Sequence, residues 1–276
     1  MKGLNWAIIA IGLGVITYGF KANNIDVSNT SELATQPVLL LTEVNKEDYK
    51  FYKQRAMDSA LSGDLSGAIA DFNKAVQMNP NDADTYNNRG KARALSGDLP
   101  GAIADFNQAL QINSNDADAY KNRGKARVLS GDLPGAIADF NQALQINPND
   151  ADTYYSRGVA RDNSGDLKGS IEDFNQALRI NPNYVDAYNN RGVNRALEGD
   201  LKSAIEDFNQ ALEINPNNAD SYKNRGIAYS QLGDVKKAIA DLQKAAELFQ
   251  QQGETAKSQA AINRIRQINN SSKNKT

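Results

Sequence analysis

Six arginines stand 34 residues apart in this chain, and each has an aspartate sixteen positions further on. The pairs are Arg55/Asp71, Arg89/Asp105, Arg123/Asp139, Arg157/Asp173, Arg191/Asp207 and Arg225/Asp241. A guanidinium is a planar fork that meets a carboxylate or a phosphate with two parallel hydrogen bonds. These residues could therefore form a ladder for an anionic ligand or a set of internal pairs. Because every first Arg brings its own Asp, pairing partly buried between helices is the expectation. Four units add a second Arg one turn later: Arg93, Arg127, Arg161 and Arg195.

Other chemistry is thinly supplied. The chain has no His and no Cys, which removes the commonest general base, the commonest metal ligand and any thiol nucleophile. Carboxylates recur once per repeat, where caps and pairs belong. The Asn-Pro-Asn-Asp-Ala-Asp turns at 79–84 and 147–152 resemble a calcium loop faintly, but lack its Gly at the sixth place and Glu at the twelfth. No catalytic residue, cofactor, metal site or small-molecule substrate is expected, and the chain does not read as an enzyme. Lys plus Arg total 31 against 33 acidic residues, net −2. Nucleic-acid binding needs a basic excess on one face, so nucleic acid is not expected as a partner.

The elements that must position these residues come from an internal repeat. Residues 83–116 and 117–150 differ at only four positions, and the remaining units start at Tyr49, Ala151, Val185 and Ala219. A period of 34 with helical spacing inside each unit is the signature of stacked helix pairs. In the second unit, Tyr86, Gly90, Ala94 and Leu95 follow a helical spacing over 84–96. Gly97 stops that helix, Asp98 stands near the next N-cap, and Pro100 falls in the first turn of the second helix. That helix sets Ala102, Ile103, Phe106, Ala109 and Leu110 on one face and ends at Asn113. Gly90 and Ala102 mark the closest approach of the two helices.

These residues resemble the tetratricopeptide repeat family. Its pattern of an aromatic, a Gly, a small residue, an aromatic, an Ala and a Pro is met by Tyr86, Gly90, Ala102, Phe106, Ala109 and Pro148 or its counterparts, with Ser114 replacing Pro in the second unit. One departure is systematic: where the family usually has Leu and Tyr on the first helix, this chain has the two arginines. The resemblance implies an all-α fold, a right-handed superhelical solenoid of six helix–turn–helix units (49–82, 83–116, 117–150, 151–184, 185–218 and 219–252). Residues 253–268 read as a C-terminal capping helix and 269–276 as a disordered tail.

It also implies a non-enzymatic scaffold that holds an extended or helical segment of another protein in a concave groove lined by the first helices. At the family's groove-facing places the chain has Lys53, Asn88, Lys91, Lys121, Asn122, Lys125, Tyr155, Val159 and Val193, a run that passes from cationic to apolar. Lys53, Asn88, Lys121 and Lys125 match in part the clamp with which some family members hold a C-terminal carboxylate, with Met57 in place of its first Asn. That match implies an acidic or C-terminal partner segment; against it, Asp84 and Asp118 stand one turn away and partly neutralise the face. The competing reading of the whole chain is a self-assembling structural repeat protein of the cell envelope, against which the capping helix argues.

The amino end carries a second signal. Residues 1–22 read as a signal anchor or signal peptide: Lys2 precedes an uncharged stretch over 4–20, about 25 Å long as a helix and at the lower limit for spanning a bilayer. A cleaved signal wants small residues at −1 and −3, and a cut after Ala22 would put Phe20 at −3, so a retained anchor fits better. The positive-inside bias then places the repeats on the non-cytoplasmic side, a periplasm-like location. Secretion to the periplasm after cleavage is the alternative. Residues 23–48 read as a spacer whose apolar run at 37–44 is expected to dock on the first repeat, with a strand-like contact to a partner as the alternative.

Overall fold

The computed structural model describes residues 47–273, which form helices joined by short turns, with no strand among the described residues. The chain divides into two compact units, residues 1–51 and 52–276. Of the first, residues 47–51 are described and are helical; the architecture below is that of the second. The span expected over 4–20 and the spacer's apolar run lie outside the described residues. Among the described residues no helix is long and apolar enough to cross a membrane.

Each unit is a helix pair. Helix α1 covers residues 47–61 and α2 Leu65–Met78. The pairs that follow are α3 (Ala83–Leu95) with α4 (Leu99–Ile112), α5 (Ala117–Leu129) with α6 (Leu133–Ile146), and α7 (Ala151–Asn163) with α8 (Leu167–Ile180). Then come α9 (Val185–Leu197) with α10 (Leu201–Ile214), and α11 (Ala219–Gln231) with α12 (Val235–Gln251), closed by α13 (Thr255–Lys273). Each first helix packs on the second helix of its own unit, and each second helix on the next first helix. This is an all-α repeat solenoid, in which neighbours supply the core that no single unit could build.

The boundaries follow from local chemistry. Gly97 takes φ +89° just beyond α3, the left-handed conformation that closes a helix without a Cβ penalty. Asp98 then accepts the Gly101 N–H as the N-cap of α4, and Asp64, Asp132, Asp166, Asp200 and Asp234 cap in the same way. At the turn into the next unit the Asn147 side chain accepts the Asn149 N–H at 3.2 Å, and Asp150 caps α7. The motif that resembled a calcium loop is thus turn and cap chemistry.

The seam inside each unit is an aromatic ring laid on a glycine. Phe106, Phe140, Phe174 and Phe208 are 0–1% exposed. A Cβ added to Gly90 would stand 2.7 Å from Phe106 Cε1, and one added to Gly124 equally close to Phe140. In the last unit Leu242 takes the place of Phe, and Ala261 and Ile268 of α13 pack into its cluster. Helix α13 runs to Lys273 rather than stopping at Ile268, so residues 269–273 are helical where a disordered tail was expected. No Gly or Pro stands at 269–273 to stop it.

Candidate functional site

The arginine ladder is internal. Arg123 donates from Nε to Asp139 Oδ2 at 2.9 Å and from Nη2 to Oδ1 at 2.6 Å. Its third nitrogen, Nη1, reaches back to Asn107 Oδ1 of the preceding unit at 2.7 Å. The same three bonds recur at Arg89, Arg157, Arg191 and Arg225, with Asn73, Asn141, Asn175 and Asn209 as the backward partners. The second arginines add an ion pair to the same carboxylates, as Arg127 does to Asp139 at 2.8 Å. Each Arg also lies over the Tyr ring three residues earlier, Arg123 at 5.4 Å from the Tyr120 centroid. A cleft lined by Tyr188, Arg191, Arg195, Glu206, Asp207, Asn209 and Gln210 lies on this ladder, and both of its arginines already meet Asp207. The backward asparagine was not singled out in the sequence, although its recurrence two residues after five of the six Asp could have exposed it.

The residues expected to line a groove lie on the first helices. Places 2, 6, 9 and 13 of a unit fall on one helix face, and first helices of successive units touch along the stack. Hydrogen bonds from place 6 to place 5 of the preceding unit lace the face: Asn122 Nδ2 to Asn87 Oδ1, Asn190 Nδ2 to the Tyr155 hydroxyl, and Asn224 Nδ2 to Asn189 Oδ1, each at 3.1 Å.

The lysines of this face are engaged by the chain's own carboxylates. Lys53 donates to Asp82 at 2.7 Å, Lys121 meets Asp150 at 2.9 Å and Asp118 at 3.0 Å, and Lys125 meets Asp152 at 2.6 Å. Asp82 and Asp150 close their own units as N-caps of the next first helix, 29 residues on, and Asp152 lies in the next unit, 27 residues on. Neutralisation therefore goes further than the neighbouring Asp84 and Asp118 alone would take it. Asn88 is half-buried and Lys91 is exposed.

Unit four breaks the pattern. The Lys–Asp latch of units one and three is replaced by Tyr155 and Tyr184, whose ring centroids are 4.7 Å apart. Tyr155 and Val159 pack with the Phe174 cluster, while Val193 joins the next one with Phe208. Tyr184 stands at the N-cap of α9, where it makes no side-chain cap bond; its hydroxyl instead faces Asp152 Oδ1 at 3.4 Å.

Titration follows these contacts. Burial pushes the Tyr184 phenol well above its ordinary value, and the Asp152 charge adds to the shift. Burial and Asp186 raise Tyr155 as well. Burial works against the Lys121 ammonium, but Asp150 and Asp118 outweigh it and raise the group above the usual lysine value. At Asp150 burial opposes ionisation, and the hydrogen bonds from Lys121 and Thr153 win, holding the carboxyl below its usual range.

Place 13 supplies what the residue-by-residue reading of the groove left out. Leu61, Leu95, Leu129 and Leu197 are 87%, 74%, 69% and 67% exposed, one at the C-terminal end of each of four first helices. Asn163 and Gln231 occupy this place in the other two units. The leucine recurrence was visible in the sequence, and the family's groove-facing places include the twelfth or thirteenth, but the leucines were not named among the groove residues. Among the described residues no group of His, Cys, Asp and Glu is placed to hold a metal ion.

Family models match most of the repeat region. A TPR repeat model matches residues 60–95, 90–131, 124–161, 163–193 and 195–233, and a tetratricopeptide repeat model matches 219–252. Among solved structures, the chain is 27% identical to YrrB, described as a TPR protein with an unusual peptide-binding site. That match covers 70% of this chain and 97% of YrrB at a TM-score of 0.58. It is 26% identical to the MamA protein, over 63% of this chain and 95% of MamA, at a TM-score of 0.57. A structure of pilF from Pseudomonas aeruginosa shares the fold at a TM-score of 0.67 and 18% identity, over 78% of this chain and 98% of its own. No curated protein sequence matches the chain. With the repeat models spanning most of its length, the chain belongs to the tetratricopeptide repeat family.

Proposed function

We propose that the chain is a non-enzymatic scaffold that holds a segment of a partner protein along its first-helix face. The observation that carries this reading is the row of leucines at place 13, four large apolar side chains at least two-thirds exposed on one face of one solenoid. Apolar surface that recurs in register and stays uncovered marks an interaction surface. The likeness to YrrB, described as having a peptide-binding site, supports the same reading. The residues proposed to line the groove are those named from the sequence: Lys53, Asn88, Lys91, Lys121, Asn122, Lys125, Tyr155, Val159 and Val193, joined by Leu61, Leu95, Leu129 and Leu197.

The scaffold is tethered to a membrane through residues 4–20, with its repeats on the non-cytoplasmic side, and serves assembly of a membrane complex. What supports the tether is the uncharged stretch behind Lys2. Chemical cross-linking from a photoreactive residue at position 95 in intact cells tests the scaffold reading. It should trap a discrete partner that the same residue at Leu110, inside the core, does not trap. Equal trapping, or none, from both positions contradicts it.

A further inference from the structure

Charge on the first-helix face is unbalanced once its internal pairs are set aside. Lys53, Lys121, Lys125 and Lys223 each contact a carboxylate of this chain, Lys50 at place 2 of the first unit pairs with Glu47, and Lys91 is exposed. The aspartates are not consumed to the same degree. Every first helix from α3 to α11 has Asp at its second position. The Asp84 and Asp118 side chains are 76% and 73% exposed despite their lysine contacts. Asp186 is exposed; its unit has Asn189 where units one and three have Lys, and it forms no ion pair among the described residues.

Two parallel rows thus run across the stacked units, aspartates at place 2 and leucines at place 13, on the same side of each first helix. Eleven residues of helix separate the rows by about 16 Å. An α-helix with its side chains is about 10–12 Å wide, so one laid across the stack spans most of that gap. An extended strand would reach a single row. Between the rows lie places 6 and 9, Asn88 with Lys91, Asn122 with Lys125, Ser156 with Val159 and Asn190 with Val193, a floor that is polar in units two and three and partly apolar in units four and five.

Resting on the scaffold reading above, we infer that the occupant of this face is a cationic amphipathic helix of the partner. Its apolar stripe seats on Leu95, Leu129 and Leu197, and its Lys or Arg side chains meet Asp84, Asp118 and Asp186. This is opposite in sign to the acidic segment that the partial clamp pattern implies. The sign follows from the Asp82, Asp150 and Asp152 contacts that already occupy the clamp lysines. Tyr184 and Tyr155, at the break in unit four, add ring faces on which a guanidinium can stack beside Asp152 and Asp186.

The test uses the full-length protein and three labelled peptides of about 18 residues with one shared leucine stripe, whose polar positions are all Lys, all Gln or all Glu. Binding is followed by fluorescence anisotropy. The Lys peptide should bind about tenfold or more tightly than the Gln peptide, and the Glu peptide more weakly than either. Raising salt should narrow the gap, and the triple change Asp84→Asn, Asp118→Asn, Asp186→Asn should bring Lys-peptide affinity down to the Gln level at unchanged melting temperature. Equal or tighter binding of the Gln or Glu peptide overturns the inferred sign. If Leu95→Ser with Leu129→Ser then abolishes that binding, the scaffold reading survives alone. Failure of all three peptides to bind overturns the cationic-helix inference, while cross-linking from position 95 still decides the scaffold reading independently.

Discussion

Arg123 holds Asp139 of its own repeat with two nitrogens and Asn107 of the preceding repeat with the third. One side chain thus ties both the helix pair and the joint between units, in a fold whose stability is a sum of those two kinds of interface. Asp139 is 2% exposed, so removing the guanidinium leaves a carboxylate at an apolar seam, with only Arg127 to meet it. Arg123→Ala should cost about 3–5 kcal/mol, the range for breaking a buried pair. Asn107→Ala should cost about 1 kcal/mol. Urea melts of the two variants check the order, and a parent-like melt of Arg123→Ala would remove the ladder's structural role.

The glycine seam gives a second prediction. Gly→Ala inside a helix ordinarily gains about 1 kcal/mol in propensity, but at Gly124 the new Cβ would lie 2.7 Å from the Phe140 ring. Overpacking of that kind costs about 1–3 kcal/mol, so Gly124→Ala should be neutral to destabilising, and Gly124→Leu should unfold neighbouring units together. Calorimetry shows the coupling as a lowered single transition.

The ion pairs set a pH window. The Arg55 hydrogen bond holds Asp71 below the usual carboxylate range, and Asp150 is lowered as well. A lowered acid contributes stability above its unfolded pKa, near 4, and loses it as pH falls through the folded value. Lys121 and Tyr184 are raised, so their contributions are complete below their unfolded values, near 10, and fade as pH climbs beyond. Stability should therefore be flat through neutrality, fall below about pH 4 and fall again above about pH 10. Tyr184→Phe should soften the alkaline limb, read from thermal melts across pH.

How far the fold was legible in advance is clearest at particular residues. Gly97, Asp98 and Pro100 mark a helix stop and start by local chemistry alone, and the Arg–Asp spacing of sixteen predicts a contact across one turn. The Lys53–Asp82 and Lys121–Asp150 latches were hidden because they reach 29 residues on, from a first helix to the cap of the next one, a reach that helical spacing does not reveal. Leu95 follows the helical spacing of its unit, but spacing alone does not show how exposed it is; the stacking does. The end of α13 was set too early because a polar composition at 269–273 reads as a tail, although nothing there breaks a helix.

Fractionation tests the tether. The intact chain should sediment with membranes, and its repeats should be cut by protease added from the non-cytoplasmic side. A mature protein starting near Asn23 would mean a cleaved signal instead, and a fully soluble chain confined to the cytoplasm would contradict both.

The central claim, a folded solenoid that captures its partner through the first-helix face, is met most directly by quantitative affinity capture with paired variants. Lys121→Glu with Lys125→Glu is a poor choice, because each Glu would face Asp150 or Asp152 and unsettle the stack. Leu95→Glu with Leu129→Glu alters residues that are 74% and 69% exposed, and should leave the melting temperature within about 2 °C of the parent, as exposed changes do. The account predicts that a partner recovered with the full-length parent is lost from this variant and is retained by a control changed on the opposite side of the helix pairs, Gln111→Glu with Gln145→Glu. Undiminished capture by the leucine variant, at that unchanged melting temperature, would contradict it.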